Sequence, residues 1–365
     1  LGAGVLVNYF DRLSLSVGGR ARLGVDGSTV LVGSREAEQF LHGPRYPLQA
    51  VVELVAGEPV DLELDFLPGP AITIPPLGLG PTLRLGWQPP SGLIDEAVVA
   101  ASRADAAVVL VNQASGEGMD RDSLALPGDQ DELVARVAAA NPRTIVVLNT
   151  PGAVLLPWLD EVGAVLQAWY PGERFGAALA AVLFGDAEPG GRLPLTFPRE
   201  RAHLPGGDHG PEIVAATLDY DADGGIGYRA PGVRRHGAAV PFGFGLGYVQ
   251  TSCEVERVEA ADGRVVVHLA VANGGTRDTV HVAQVYARVA GAAPELAAVA
   301  RVRVAAGRRV AARVEIGAEA FARWDAAVGR RAPVDGRHLL RVASHAEDPG
   351  FEFEVSCQEG LLAVD

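Results

Sequence analysis

Ala106-Ala-Val-Val-Leu-Val111, Thr144-Ile-Val-Val-Leu148 and Ala164-Val-Leu-Gln-Ala-Trp169 are three short, nearly continuous apolar runs rich in β-branched residues. Such runs predict strands buried on both faces. Before, between and after them the apolar spacing changes to that of helices. Asp95 to Asp105 and Pro127 to Ala140 read as amphipathic helices, Leu155 to Leu159 as a short helical piece, and Glu173 to Phe184 as a third helix. Strands alternating with helices predict a parallel sheet covered on both faces. Three strands make a thin sheet, so earlier strands of it are expected upstream of Leu1.

Outward from this segment the texture changes on both sides. From Phe10 to Trp87 apolar and polar residues alternate, as in Val60-Asp-Leu-Glu-Leu-Asp-Phe66, and are broken by turns such as Asp26-Gly27. Period two with such turns predicts antiparallel β-structure. Leu67 to Pro81, rich in Pro and Gly, is expected to be a long surface loop. Arg199 to Tyr248 has no sustained period and reads as a wrapping linker. From Cys253 to Val355 alternation returns, with turns at Asn273-Gly274-Gly275 and Asp335-Gly336, and predicts a seven-strand sandwich of immunoglobulin-like type. The expected fold class is therefore α/β plus all-β, an incomplete parallel α/β sandwich between two β-units, with boundaries at 1–90, 91–200, 201–248 and 249–365.

With 365 residues the chain is long enough for two or three compact units. Its 45 acidic against 31 basic side chains give a net charge of −14, which opposes binding to phosphate backbones or anionic lipid. Neither nucleic acid nor a membrane is an expected partner, and no apolar run approaches the roughly 20 residues of a bilayer span. The first residues lack the pattern of a leader peptide, so a cytoplasmic location is expected, with a secreted parent left open because the start reads as the middle of a domain. Cys253 and Cys357 are too few for a disulfide framework or a structural zinc site. Both read as buried thiols, with a single bridge left open. All 31 residues counted as Lys or Arg are Arg, which removes lysine-based chemistry. No cofactor is expected, and self-association is left open.

The stretch with chemical content is Asn112-Gln-Ala-Ser-Gly116-Glu117-Gly118-Met-Asp120-Arg121-Asp-Ser-Leu124-Ala-Leu126-Pro127, directly after the first parallel strand. Ligands of open α/β sheets bind where strand C-termini open into loops. Glu117 lies between two glycines, whose backbone freedom can project a carboxylate from a loop. On spacing alone a solvated charge is the better reading.

The surroundings add specificity. The run Ser115 to Pro127 with Gln130 and Leu133, then Asn141-Pro142, Val146-Val147-Leu148, Pro157-Trp158, Gln167-Ala-Trp-Tyr-Pro-Gly-Glu173, Gly176, Leu183-Phe-Gly-Asp186, Pro189-Gly-Gly-Arg-Leu-Pro194 and Thr196-Phe-Pro198, resembles the acid/base loop and following region of family 3 glycoside hydrolases. The likeness returns at Gly227-Tyr228-Arg229 and at Pro241-Phe-Gly-Phe-Gly-Leu-Gly247-Tyr248, where the family usually has Ser at the position of Gly247. The N-terminal unit looks like part of a protective-antigen-type module, and the C-terminal unit like a fibronectin type III-like domain. The resemblance implies a β-glucosidase-like enzyme that retains anomeric configuration. An aspartate attacks the anomeric carbon, while Glu117 protonates the leaving oxygen and then deprotonates water. That cycle demands a raised pKa for Glu117, obtainable from partial burial and the neighbouring nucleophile. The family's nucleophile comes from a (β/α)8 barrel that this sequence does not contain. The expected partners are accordingly a β-glucoside or related glycoside and the missing barrel domain, and the isolated chain is expected to be inactive. Xylosides, galactosides or glycosylated macrolides would use the same Glu117.

Asp120 and Arg121 read as loop-supporting residues, an anchor rather than a substrate contact, because an Arg fork can pin a carboxylate or backbone carbonyls. Trp158 and Trp169 could stack on a sugar face, but core packing is the better reading for both. Tyr228 and Arg229 read as structural. Gly243-Phe-Gly-Leu-Gly247 lacks the preceding strand and following helix that a phosphate loop needs. His203, Asp208 and His209 have no metal-ligand spacing and read as solvated loop. The competing functional class is a non-catalytic carbohydrate-binding or scaffolding protein.

Overall fold

The computed structural model describes residues 9–17, 19–34, 48–54, 59–68, 72–74, 77–79, 83–88, 92–113, 115, 121, 123–205, 225–327 and 329–364. Eight strands form the first part: β1 Tyr9–Val17, β2 Gly19–Val25, β3 Ser28–Ser34, β4 Leu48–Leu54, β5 Leu62–Pro68, β6 Ile72–Ile74, β7 Leu77–Leu79 and β8 Leu83–Gln88. They make two antiparallel sheets, β4-β1-β8 and β3-β2-β5, and a ribbon β6-β7. Ala21, Leu23, Val25 and Leu31 are buried between the sheets, with Val52 and Leu54 of β4 and Phe66 of β5 packed on them. Asp26 and Gly27 both take left-handed backbone, φ 47° and 75°, as a two-residue hairpin turn requires. The expected loop from Leu67 to Pro81 is corrected, because it holds the end of β5 and the β6-β7 ribbon. Strands of three residues are too short to show a period among Pro and Gly.

The second part runs α1 Leu93–Arg103, β9 Ala107–Asn112, α2 Gln130–Ala140, β10 Thr144–Asn149, β11 Ala164–Gln167 and α3 Phe175–Leu183. The three strands are parallel in the order β11-β10-β9. Val109, Val111, Val146 and Leu148 pack against Ala101 of α1 and Val134 and Val137 of α2, together with Trp158 and Phe197. Each Val or Leu buried in this way contributes about 1.5–3 kcal/mol. Asn141 ties the layer together. Its Nδ2 donates to the carbonyls of Ala101 at 2.9 Å and Ala104 at 3.0 Å, closing the end of α1. Trp158 is buried and donates through Nε1 to Asp131 Oδ1 at 2.8 Å.

Two expectations fail here. The piece predicted as helical at Leu155 to Leu159 is instead a 3-10 turn at Leu159–Glu161. The sheet is also not covered on both faces among the described residues. On β9, Val108 and Leu110 are 51% and 44% exposed, and α3 buries none of its residues. Val109 and Val111 point the other way, onto α1 and α2, because strand side chains alternate.

A connecting segment follows with β12 Phe197–Pro198, α4 Pro231–His236 and β13 Ala238–Val240, and β12 pairs with β13. The final part contains β14 Thr251–Ala261, β15 Arg264–Asn273, β16 Thr279–Arg288, β17 Glu295–Val304, β18 Arg309–Gly317, β19 Ala322–Asp325, β20 Arg330–Pro333, β21 Gly336–Ala343, β22 Phe351–Gln358 and β23 Leu361–Val364. Among the described residues it has a three-stranded sheet β14-β15-β18, a five-stranded sheet β17-β16-β21-β22-β23 and a ribbon β19-β20, where seven strands were expected. Val265, Val267 and Leu269 from one sheet meet Val285, Leu340 and Val355 from the other in a single core. Cys253 and Cys357 are both free thiols. Burial, reinforced by Glu254, pushes the Cys253 thiol up. No described helix is long and apolar enough to cross a membrane.

The Gly243 to Gly247 run joins the last two parts. Gly245 lies against the Gly191 carbonyl and Arg192, and Gly247 lies against Glu188. Glu188 Oε1 accepts from Tyr248 N at 2.9 Å, Val249 N at 3.3 Å and Thr279 Oγ1 at 3.1 Å. A Cβ at position 247 would sit 2.5 Å from that oxygen. Gly247→Ser is expected to cost about 2 kcal/mol in chemical denaturation. In a Glu188→Ala background the same change should cost almost nothing, since the clashing carboxylate is gone. Equal costs in the two backgrounds would refute this steric account.

Stability is also expected to depend on two histidines. His281 shares a 2.7 Å hydrogen bond between Nδ1 and Thr251 Oγ1, and burial, then the Arg192 guanidinium, holds its pKa down. Burial likewise lowers His345, although Asp348 and Glu347 oppose it. Each folded-state pKa lies below its unfolded value of about 6.5. As pH falls below that value the unfolded chain takes up protons that the folded chain refuses, so stability present above pH 6.5 is lost on acidification. The drop in Tm between pH 7.5 and 5.5 should therefore be smaller in His281→Gln than in the wild type, and identical drops would contradict the assignment.

Candidate active site

The C-terminal ends of β9, β10 and β11 lie side by side, with Asn112 paired to Asn149 and Leu148 to Gln167. This edge is held by polar side chains. Asn149 Nδ2 donates to Asn112 Oδ1 at 2.7 Å. Gln130, the first residue of α2, holds both backbone groups of Asn112: its Oε1 accepts from Asn112 N at 2.7 Å, and its Nε2 donates to Asn112 O at 2.9 Å. Gln167 Nε2 donates to Thr150 O at 3.1 Å. The strand ends are thus cross-linked before the chain leaves the sheet.

Gln113, only 4% exposed, is the hub of this edge. Its N–H donates to Asn149 O at 3.2 Å, continuing the parallel ladder by one residue. Its side-chain Oε1 accepts from Arg121 Nη1 at 2.7 Å, and the same nitrogen donates to Ala153 O at 2.7 Å. Its backbone carbonyl accepts from Tyr170 Oη at 2.5 Å, and Tyr170 Oη in turn accepts from Ser115 N at 3.0 Å. Both described ends of the segment between residues 113 and 121 are therefore pinned to Gln113.

Of the candidate residues, Arg121 lies on this edge in contact with Gln113 and Ala153. Glu117 and Asp120 lie outside the described residues. Trp158 is in the core, while Trp169 is half-buried and lines an apolar cleft of about 510 Å³ with Leu166, Leu193, Phe244 and Leu246. Tyr228 stacks on Phe242, accepts from Leu296 N at 3.0 Å and is pushed up by burial, and Arg229 pairs with Glu295 at 3.1 Å. Both serve packing between the connecting segment and the last part. His203 stacks on His236 with ring centroids 4.4 Å apart, whereas Asp208 and His209 lie outside the described residues. Among the described residues no three His, Cys, Asp or Glu side chains gather closely enough to hold a metal ion. Sequence reasoning passed over Gln113 and Tyr170. Neither carries a charge, and their hydrogen bond spans 57 residues.

A parallel sheet with a braced loop at its strand C-termini, carried between two β-rich parts, is an α/β arrangement suited to binding a ligand at that edge. A family model described as the glycosyl hydrolase family 3 C-terminal domain matches residues 15–248, and the chain belongs to that family. It is 35% identical over 350 residues to a beta-glucosidase of Rhizobium radiobacter, covering 90% of this chain and 42% of that protein. It is 34% identical to beta-glucosidase B of Emericella nidulans, covering 79% of this chain and 37% of that one. Among solved structures, DesR, a beta-glucosidase from Streptomyces venezuelae in complex with D-glucose, superimposes with a TM-score of 0.71 at 29% identity, over 98% of this chain and 45% of DesR. The chain thus spans less than half the length of these relatives.

Proposed function

We propose that the chain is the C-terminal portion of a retaining β-glycosidase acting on terminal β-glucosides, and that Glu117 is its acid/base. The observation that supports this reading is that the described flanks of Glu117 in the sequence, Gln113 and Arg121, meet at the C-terminal end of β9, where Arg121 donates to the buried Gln113. The beta-glucosidase relatives support the substrate class. In this reading an aspartate supplied by a barrel domain opens the glycosidic bond. Glu117 delivers a proton to the leaving oxygen and then removes one from water. Residues 1–90 correspond to a protective-antigen-type module and 249–365 to a fibronectin type III-like domain. Residues 91–200 form the α/β part, and 201–248 link it to the last domain. Without the barrel the chain turns nothing over.

The test joins the chain to its preceding coding sequence and compares wild type with Glu117→Ala on aryl β-glucosides. Unchanged turnover in the variant rejects the assignment. Activity of the isolated chain would refute the need for a barrel. Calorimetric titration of the isolated chain with gluco-oligosaccharides separates the non-catalytic binding alternative, which requires heat at millimolar ligand.

A further inference from the structure

From the brace around Gln113 we infer that Tyr170 is a positioning residue for the acid/base loop, holding through its hydroxyl the point at which that loop leaves β9. The inference rests on the reading of Glu117 given above and adds a residue to it.

Tyr170 follows β11 and precedes α3, 57 residues beyond Gln113 in sequence. Its hydroxyl is used twice, donating to Gln113 O at 2.5 Å and accepting from Ser115 N at 3.0 Å. One oxygen thereby fixes the carbonyl and the amide on either side of residue 114. Tyr170 is 50% exposed, so full apolar burial is not what holds this side chain in place. The approach also carries a conformational cost, because the preceding Trp169 adopts φ 56°. A bulky residue is rarely found there, and such strain, of order 1–3 kcal/mol, persists only where surrounding contacts over-determine it. The turn at Trp169 brings the chain back across the strand ends so that Tyr170 reaches β9. Arg121 secures the other end of the segment through Gln113 and Ala153. A proton donor must be held to within about 0.5 Å of its productive position, and a 1 Å error costs on the order of 100-fold.

Tyr170→Phe removes the hydroxyl and keeps the ring. Expressed with the preceding coding sequence, this variant should lose on the order of 10- to 100-fold in kcat/KM on cellobiose, whose leaving alcohol needs a proton. It should lose less than about twofold on 2,4-dinitrophenyl β-glucoside, whose leaving group departs without one. A purely structural role would lower both substrates together, and that result overturns the inference. Glu117→Ala is measured alongside. If it shows the leaving-group-selective loss while Tyr170→Phe behaves as wild type, only the role of Tyr170 falls. If Glu117→Ala shows no such selectivity, the acid/base reading falls and this inference with it. Hydrogen exchange gives an arm independent of turnover: the Ser115 amide should exchange faster in Tyr170→Phe, and unchanged protection overturns the brace.

Discussion

Glu117→Ala, in protein that includes the preceding coding sequence, is expected to lower kcat/KM on cellobiose by about 10²- to 10⁴-fold, the usual contribution of a positioned general acid. On 2,4-dinitrophenyl β-glucoside the same substitution should leave kcat/KM nearly intact, because the first step then needs no proton. Its kcat should nevertheless fall, since the second step loses the base that activates water. Azide supplies the distinguishing signature. As an anion it needs no base, so it attacks the anomeric carbon of the glycosyl-enzyme. The new C–N bond forms as the bond to the aspartate oxygen breaks, releasing the carboxylate and a β-glycosyl azide. Restored kcat with that product is the expected result, while a loss shared by both substrates and insensitive to azide would mean that Glu117 plays no part in proton transfer.

Gly243→Ala is expected to be the most damaging of the glycine substitutions considered, costing about 3–4 kcal/mol and lowering Tm by on the order of 10 °C. Two effects add. Gly243 has φ 82°, a left-handed backbone that costs an L side chain about 1 kcal/mol or more. Its Cβ would also land on the Gln284 carboxamide oxygen. Gln284 is buried and fully engaged, with Nε2 donating to Gly243 O at 2.9 Å and Ser344 O at 2.5 Å, and Oε1 accepting from Tyr286 Oη at 2.6 Å. Pushing it aside strands buried polar groups at about 1–3 kcal/mol. Gly263→Ala provides the control, since Gly263 has φ 72° but nothing within 4 Å of the added carbon. It should show the backbone cost alone. Similar losses for the two variants would show that contact with Gln284 contributes little.

The Gly243 result also revises how the glycine-rich run is understood. As a string it resembles a phosphate-binding loop, and the lack of an indicated preceding strand and following helix argued against that. What it does instead appears only when β16 is brought against it. Gln284, Arg192 and Glu188 approach the backbone so closely at positions 243, 245 and 247 that a side chain has no room. These neighbours lie 41, 53 and 59 positions away in the sequence.

Local physics made much of the architecture legible in the residues themselves. Apolar runs of strand length at Val108 to Val111 and Ile145 to Leu148, each followed by helical spacing or a turn, pointed to parallel strands, whose Val109, Val111, Val146 and Leu148 are buried on one face. Asp26-Gly27 dictated its hairpin turn through the backbone angles that those two residues tolerate. The glycine-flanked Glu117 and its neighbours marked the segment proposed above to carry chemistry. The uncovered face of β9 at Val108 and Leu110, the β6-β7 ribbon and the hub at Gln113 were decided only by tertiary structure. Period and turn chemistry are set by neighbours a few residues apart, whereas burial and hydrogen-bond partnership depend on groups such as Arg121, Ala153 and Tyr170, which the folded chain brings to one strand end from 8 to 57 residues away.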